Sequence, residues 1–203
     1  MKNLFIVSTA IAVIAFAACN SGNNPSTDNS NSTADTSQST MPAASNETSG
    51  QASNTQTNNA ASIKEIVTGY LQLKNALAND DSKEAANGGK AVVAAMQKFD
   101  KSSLTAEQKK DYEDMESAMK ENAEHIGENA GKIDHQREHF DMLSQDLYDM
   151  VKEYGAGQSL YKDFCPMYND NKGAFWLSET KEIKNPYLGK KMPTCGEVKE
   201  EMK

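Results

Sequence analysis

The sequence predicts a mainly α fold: an up-down four-helix bundle with a C-terminal β-hairpin and an ordered loop packed on it. Three observations carry this reading. Between Ser62 and Gly155 apolar residues recur at helical spacing in four blocks. Each block opens near a residue able to cap a helix. After Gly157 the chain turns aromatic on both sides of Asn169-Asp170-Asn171, a composition that suits two short strands around a turn.

Ahead of the first block, Lys2 is followed by an apolar run from Leu4 to Phe16 and by Phe16-Ala17-Ala18 before Cys19. That order reads as a signal peptide over residues 1–18, its apolar part too short to span a bilayer comfortably as a permanent helix. Small residues running into a cysteine are similar to the lipobox of bacterial lipoproteins, with Phe16 standing where Leu is usual. The similarity implies a lipid on Cys19, attachment to a membrane through it, and a periplasm-facing place in the cell envelope. Residues 20–61 hold no aromatic residue, Lys or Arg, so residues 19–61 read as a lipidated start and a disordered tether. A domain over residues 62–203 remains, with the hairpin and loop occupying about 158–198.

Ser62 can cap a first helix whose inner face is Ile63, Ile66, Val67, Tyr70, Leu71 and Leu77. Asp81 and Glu84 have capping-box spacing ahead of Ala85, Val92, Val93, Met96 and Phe99. Gly88 and Gly89 inside that helix either admit a close neighbour or weaken it. Thr105 and Gln108 repeat the spacing before Tyr112, Met115, Met119, Ala123, Ile126 and Ile133. Asp134 is the expected cap of a fourth helix carrying Phe140, Leu143, Leu147, Met150, Val151 and Tyr154, with Gly155 as its stop. The stretch from Asn185 to Gly196 is broken by Pro and Gly and reads as ordered loop.

The formal charge is −8, and loss of Lys2 with the signal peptide makes the rest one unit more negative. Such a balance argues against nucleic acid and against electrostatic docking on anionic lipid. No phosphate loop, zinc-protease helix or CxxC pair is present, and the carboxylates Asp111, Glu113, Asp114 and Glu116 suit the start of a helix better than catalysis. The expectation is a binding protein rather than an enzyme.

Two readings of the remaining cysteines stand side by side. Cys165 and Cys195 in an oxidising compartment can pair as a disulfide, in a structural or protein-interaction module. Alternatively Cys165-Pro166-Met167 and Met192-Pro193-Thr194-Cys195 are two halves of a soft-metal site, since thiolate and thioether select Cu(I) and similar ions. On the fourth helix His135, His139 and Met142 stand at i, i+4 and i+7, along one face. The ligand set is then His139, Met142, Cys165, Met167, Met192 and Cys195, with His135 in reserve and no more than four on one ion. Whether His125 joins them is left open by the sequence.

Tyr161 to Cys165-Pro166-Met167, Gly173-Ala174-Phe175-Trp176-Leu177-Ser178, Ile183, Asn185-Pro186-Tyr187, Gly189, Met192 and Cys195-Gly196 together carry a resemblance. With Gln136-Arg137, His139-Phe140, Ser144 and Leu147, they resemble an uncharacterised bacterial envelope domain family (domain of unknown function 3347). Its members are lipoproteins or extensions fused to periplasmic adaptor subunits of heavy-metal efflux pumps. The chain departs from the family at Tyr168, Leu188 and Pro193, none of them a candidate ligand. The resemblance implies association with copper and silver efflux, and favours the metal reading of the cysteines over the disulfide.

Overall fold

The computed structural model describes residues 51–203. The expected signal peptide, the expected lipidation at Cys19 and the expected tether up to residue 50 lie outside the described residues. Four helices follow one another: α1 (Gln51–Ala78), α2 (Ser82–Gln97), α3 (Ala106–Glu128) and α4 (Ile133–Tyr154). Each packs on its predecessor and α4 closes against α1, which is the up-down bundle. No helix among the described residues is long and apolar enough to cross a membrane.

α1 begins earlier than its predicted cap at Ser62, so residues 51–61, read as tether, are helical. Its packed part supplies a nucleus, and extending a helix from an existing nucleus fixes few dihedrals per hydrogen bond gained. No Pro or Gly intervenes between Gln51 and Ile63 to stop it. Ile63, Ile66, Val67, Tyr70 and Leu77 are buried as predicted, whereas Leu71 is half-buried and Leu73 and Lys74 take places in the interior.

Asp81 caps α2 by accepting from the Glu84 N–H at 2.9 Å. The box closes on that side only, because the Glu84 carboxylate is engaged by Gln72 and Asn87. Gly88 and Gly89 are the points where α2 touches its neighbours. A Cβ at Gly88 would lie 2.6 Å from Leu73 Cα, and one at Gly89 2.7 Å from the Ala123 carbonyl. Thr105 and Gln108 form both halves of their capping box.

Two details at the α3–α4 turn differ from expectation. Ile133 opens α4 rather than closing α3, and Lys132, not Asp134, occupies the cap position. Gln136 is responsible: its amide nitrogen donates to Ser82 O and Ile126 O, both at 3.0 Å, and its carbonyl accepts from Ser82 Oγ at 2.6 Å. These bonds hold the first turn of α4 against both α2 and α3. Asp134 lies within that turn, 3.5 Å from the Arg137 guanidinium. All six residues predicted to line α4 are buried, and Gly155 ends it at φ 81°.

The hairpin forms as predicted from β1 (Leu160–Cys165) and β2 (Ala174–Ser178), antiparallel, with Asp163 opposite Trp176 and Cys165 opposite Ala174. Asn169, Asp170 and Asn171 all take left-handed φ in the connection, a conformation their short side chains tolerate. A third strand, β3 (Glu197–Met202), pairs antiparallel with the other edge of β1, making the order β2-β1-β3. The predicted loop therefore ends at Gly196. Glu-Val-Lys-Glu-Glu-Met buries only Met202, so no apolar alternation announced the strand.

A hydroxyl relay fastens sheet to bundle. Ser144 donates to the Phe140 carbonyl at 2.7 Å, which commits its proton, so Tyr70 donates to Ser144 at 2.7 Å. The Tyr70 oxygen in turn accepts the Leu177 N–H of β2 at 3.0 Å. Beside it lies a buried charge cluster. Lys74, 1% exposed, donates to Glu179 at 2.7 Å, while both oxygens of the fully buried Asp163 lack a hydrogen-bond partner.

Burial raises Asp163 to about 7, against the pull of Lys74 and with Glu179 adding to the rise. The unfolded chain releases this proton near pH 3.9. Between about pH 4 and 7 the folded state thus binds more protons than the unfolded one, and this group's contribution to stability falls as pH rises. Asp163→Asn is expected to stabilise the protein by about 1–3 kcal/mol at pH 8 and by little at pH 4. Urea denaturation at both pH values checks this, and an unchanged or larger gain at pH 4 contradicts it.

Candidate functional site

The fold sorts the candidate ligands into two groups. The first lies where the tail returns to the sheet. Cys165 ends β1 and is fully buried; Cys195, half-buried, precedes Gly196 and β3. Both are free thiols and near enough to interact, with the Met167 N–H also close to the Cys195 sulfur. Burial, then the neighbouring Cys165, push the Cys195 thiol up to about 11, with the Met167 N–H opposing.

Asn185 shapes the loop that delivers Cys195. Its carbonyl oxygen accepts the Tyr187 and Leu188 N–H groups, each at 2.8 Å, and its amide donates to the Cys195 carbonyl at 2.6 Å. Gly196 has φ 142°, and a Cβ there would stand 2.9 Å from Trp176 Cη2. The Cys-Gly pair is thus seated against the indole. Met167 is 51% exposed on the turn after β1, and Met192 is half-buried.

The second group lies at the α3–α4 end of the bundle. His135 and His139 of α4 meet His125 of α3, with one nitrogen from each ring all within 4.8 Å of one another. His125 stacks on His139 with centroids 4.4 Å apart, and His135 stands edge-on to His139 at 4.6 Å. His139 Nδ1 is 2.9 Å from Asn122 Oδ1. Because the Asn122 amide nitrogen donates to Ala118 O at 3.0 Å, its oxygen faces the ring and Nδ1 carries the proton. Nε2 is then the nitrogen with a free lone pair. Burial, followed by the charges of His125 and His135, lowers the His139 pKa, against Glu138 and Glu121.

Three imidazoles so placed could hold a metal ion. Among the described residues, neither Cys165 nor Cys195 joins His139 in a cluster of three or more such donors. The expected convergence of sulfur and imidazole is replaced by separate groups. Met142, 43% exposed, belongs by helical position with His135 and His139. His125 is the donor that the sequence left undecided. Reflection of the chain about the short Asn129–Lys132 turn is the signal that finds it, since an antiparallel helix pair sets Asn122 and His125 opposite His139 and Gln136.

The class defined by this geometry is a four-helix bundle capped by a three-stranded antiparallel sheet, with donor clusters on each part. Residues 66–159 match the model of the family described as Protein of unknown function (DUF3347). The match runs from α1 to the residue before β1, so it covers the helices, and the tail motifs lie beyond it. No curated protein and no solved structure matches the chain.

In reduced protein, alkylation of Cys195 is expected to accelerate roughly tenfold per pH unit between about pH 8 and 10, because the thiolate is the nucleophile. Asn185→Ala, which frees the loop, raises the rate at every pH. Mass spectrometry after timed iodoacetamide exposure reads both effects; equal rates in the variant and wild type would mean that Asn185 does not govern access.

Proposed function

We propose that the protein is a lipid-anchored, periplasm-facing metal-binding protein, taking a soft ion of the Cu(I) or Ag(I) type in metal tolerance or in hand-over to an efflux adaptor. The carrying observation is that Cys165 and Cys195 are free thiols brought together from the end of β1 and the tail loop. Paired thiolates are the donors soft monovalent ions prefer, and coordination removes their protons even where burial opposes ionisation. Met167 and Met192 supply the nearest thioethers along the chain. His139, clustered with the other two imidazoles, leaves this donor set, and Met142 lies on its helix. The lipid on Cys19 and the residues after it keep the domain at the membrane, and the resemblance to domains fused to efflux adaptors supports the direction of transfer.

The same arrangement favours a second reading, in which the two cysteines oxidise to a disulfide and the domain is a structural or interaction module. One pair of measurements separates them. Alkylation and mass analysis without reductant, on protein taken from the envelope, is expected to find both thiols free. Anaerobic Cu(I) titration against a competing chelator is expected to give one equivalent. Cys165→Ser and Cys195→Ser should each weaken binding by roughly tenfold or more, and Met167→Leu by less. A quantitative disulfide, or undiminished binding in both serine variants, defeats the soft-ion reading.

A further inference from the structure

We propose that His125, His135 and His139 form a second metal site, separate from the thiol pair, that takes a borderline divalent ion such as Zn(II), Ni(II) or Cu(II). The chain has three histidines, and all three sit in this one cluster. They come from two helices, so the coincidence is set by packing and not by an i, i+4 repeat alone. The packing is fixed locally. Gln136 pins α4 to α2 and α3, and Ser82 Oγ accepts the Gly131 N–H of the intervening turn at 2.7 Å.

The donor chemistry selects the ion. Imidazole nitrogen suits Zn, Ni and Cu(II), while the sulfur pair suits monovalent soft ions. A tetrahedral zinc with bonds of about 2.0–2.1 Å needs nitrogens about 3.4 Å apart. The present spread of 4.8 Å closes by rotation of rings that are not fully buried: His125 is exposed, and the His135 side chain is 39% exposed. The His125–His139 stack opens in that movement, since each lone pair must lie in its own ring plane.

His139 is the pre-oriented ligand. Asn122, itself 8% exposed, holds its Nδ1–H and presents Nε2, the arrangement by which outer partners fix the tautomer of metal-binding histidines. Asn122 is therefore a positioning residue. Glu138, 3.4 Å from His135 Nδ1, and Glu121 add negative charge beside the cluster. Three protein ligands leave a fourth position on the solvent side, where an incoming donor from another molecule can enter.

The test uses the full chain without a polyhistidine tag, carrying Cys19→Ser, Cys165→Ser and Cys195→Ser so that no thiol plays a part. Calorimetric titration with Zn(II), and separately Ni(II), is expected to give one site, with histidine NMR signals of all three rings shifting together. His125→Gln, a surface change, should weaken binding about tenfold or more. Asn122→Ala should weaken it roughly 10-fold, and Asn122→Asp, which keeps an acceptor for Nδ1–H, should restore it. Wild-type affinity in His125→Gln, or shifts confined to His135 and His139, overturns the cross-helix site. Absence of rescue by Asn122→Asp overturns the positioning role. Because the thiols are removed, these outcomes are independent of the fate of the thiol reading.

Discussion

The guanidinium of Arg137 is the tie on which the arrangement depends. It is buried on α4 yet donates to Leu77 O at the end of α1, to the Asp80 carboxylate at 2.6 Å, and to Pro186 O in the tail loop. Asp80 holds the same loop from its other oxygen, through the Lys190 N–H. A buried cation stripped of its partners costs several kcal/mol, so the helical turn and the returning tail must both be in place for the charge to be tolerated. A lysine, with a point charge and no planar fork, cannot satisfy three acceptors set in these directions. Through Pro186 and Asn185 the clamp reaches Cys195, which makes the position of the thiol pair a consequence of bundle assembly.

Chemical similarity grouped the sulfur and imidazole donors, but geometry divides them by chain neighbourhood. His125 to His139 spans one helical hairpin; Cys165 to Cys195 spans the second strand of the β-hairpin and the tail loop that follows it. Each device is local in sequence and rigid in its own right. The bundle half rests on amide bonds from Gln136, and the sheet half on those of Asn185. Two donor sets of different softness can thereby coexist in one small domain without competing for the same ion.

The helical framework was legible because burial on a cylinder imposes its period on the sequence. Ile63 through Leu77 and Phe140 through Tyr154 announce their faces, and Asp81 and Thr105 mark starts through hydrogen bonds confined to one turn. What stayed hidden depends on partners distant in sequence. β3 exists because β1 offers a free edge. Lys74 and Asp163 are buried because the sheet packs on the bundle, with β2 against α1, which no local pattern of charges reveals. The start of α1 beyond Ser62 reflects propagation from a packed nucleus in residues whose composition is polar. At the candidate sites the residue types were readable, and their partition was not, since it follows from the α3–α4 turn and the path of the tail.

β3 deserves a last consideration as a boundary. Glu197, Lys199 and Glu201 alternate along the outer strand of the sheet, and its first four residues bury almost nothing. Unpaired backbone groups on such a rim invite a neighbouring molecule to continue the ladder. A second copy arriving antiparallel would have to bring its own carboxylates and ammonium groups into register with these and strip water from them, with Val198 the one exposed large apolar side chain of the strand to offset that cost. The strand thus completes the sheet and gives it a charged rim, which disfavours continuation of the ladder by a second copy.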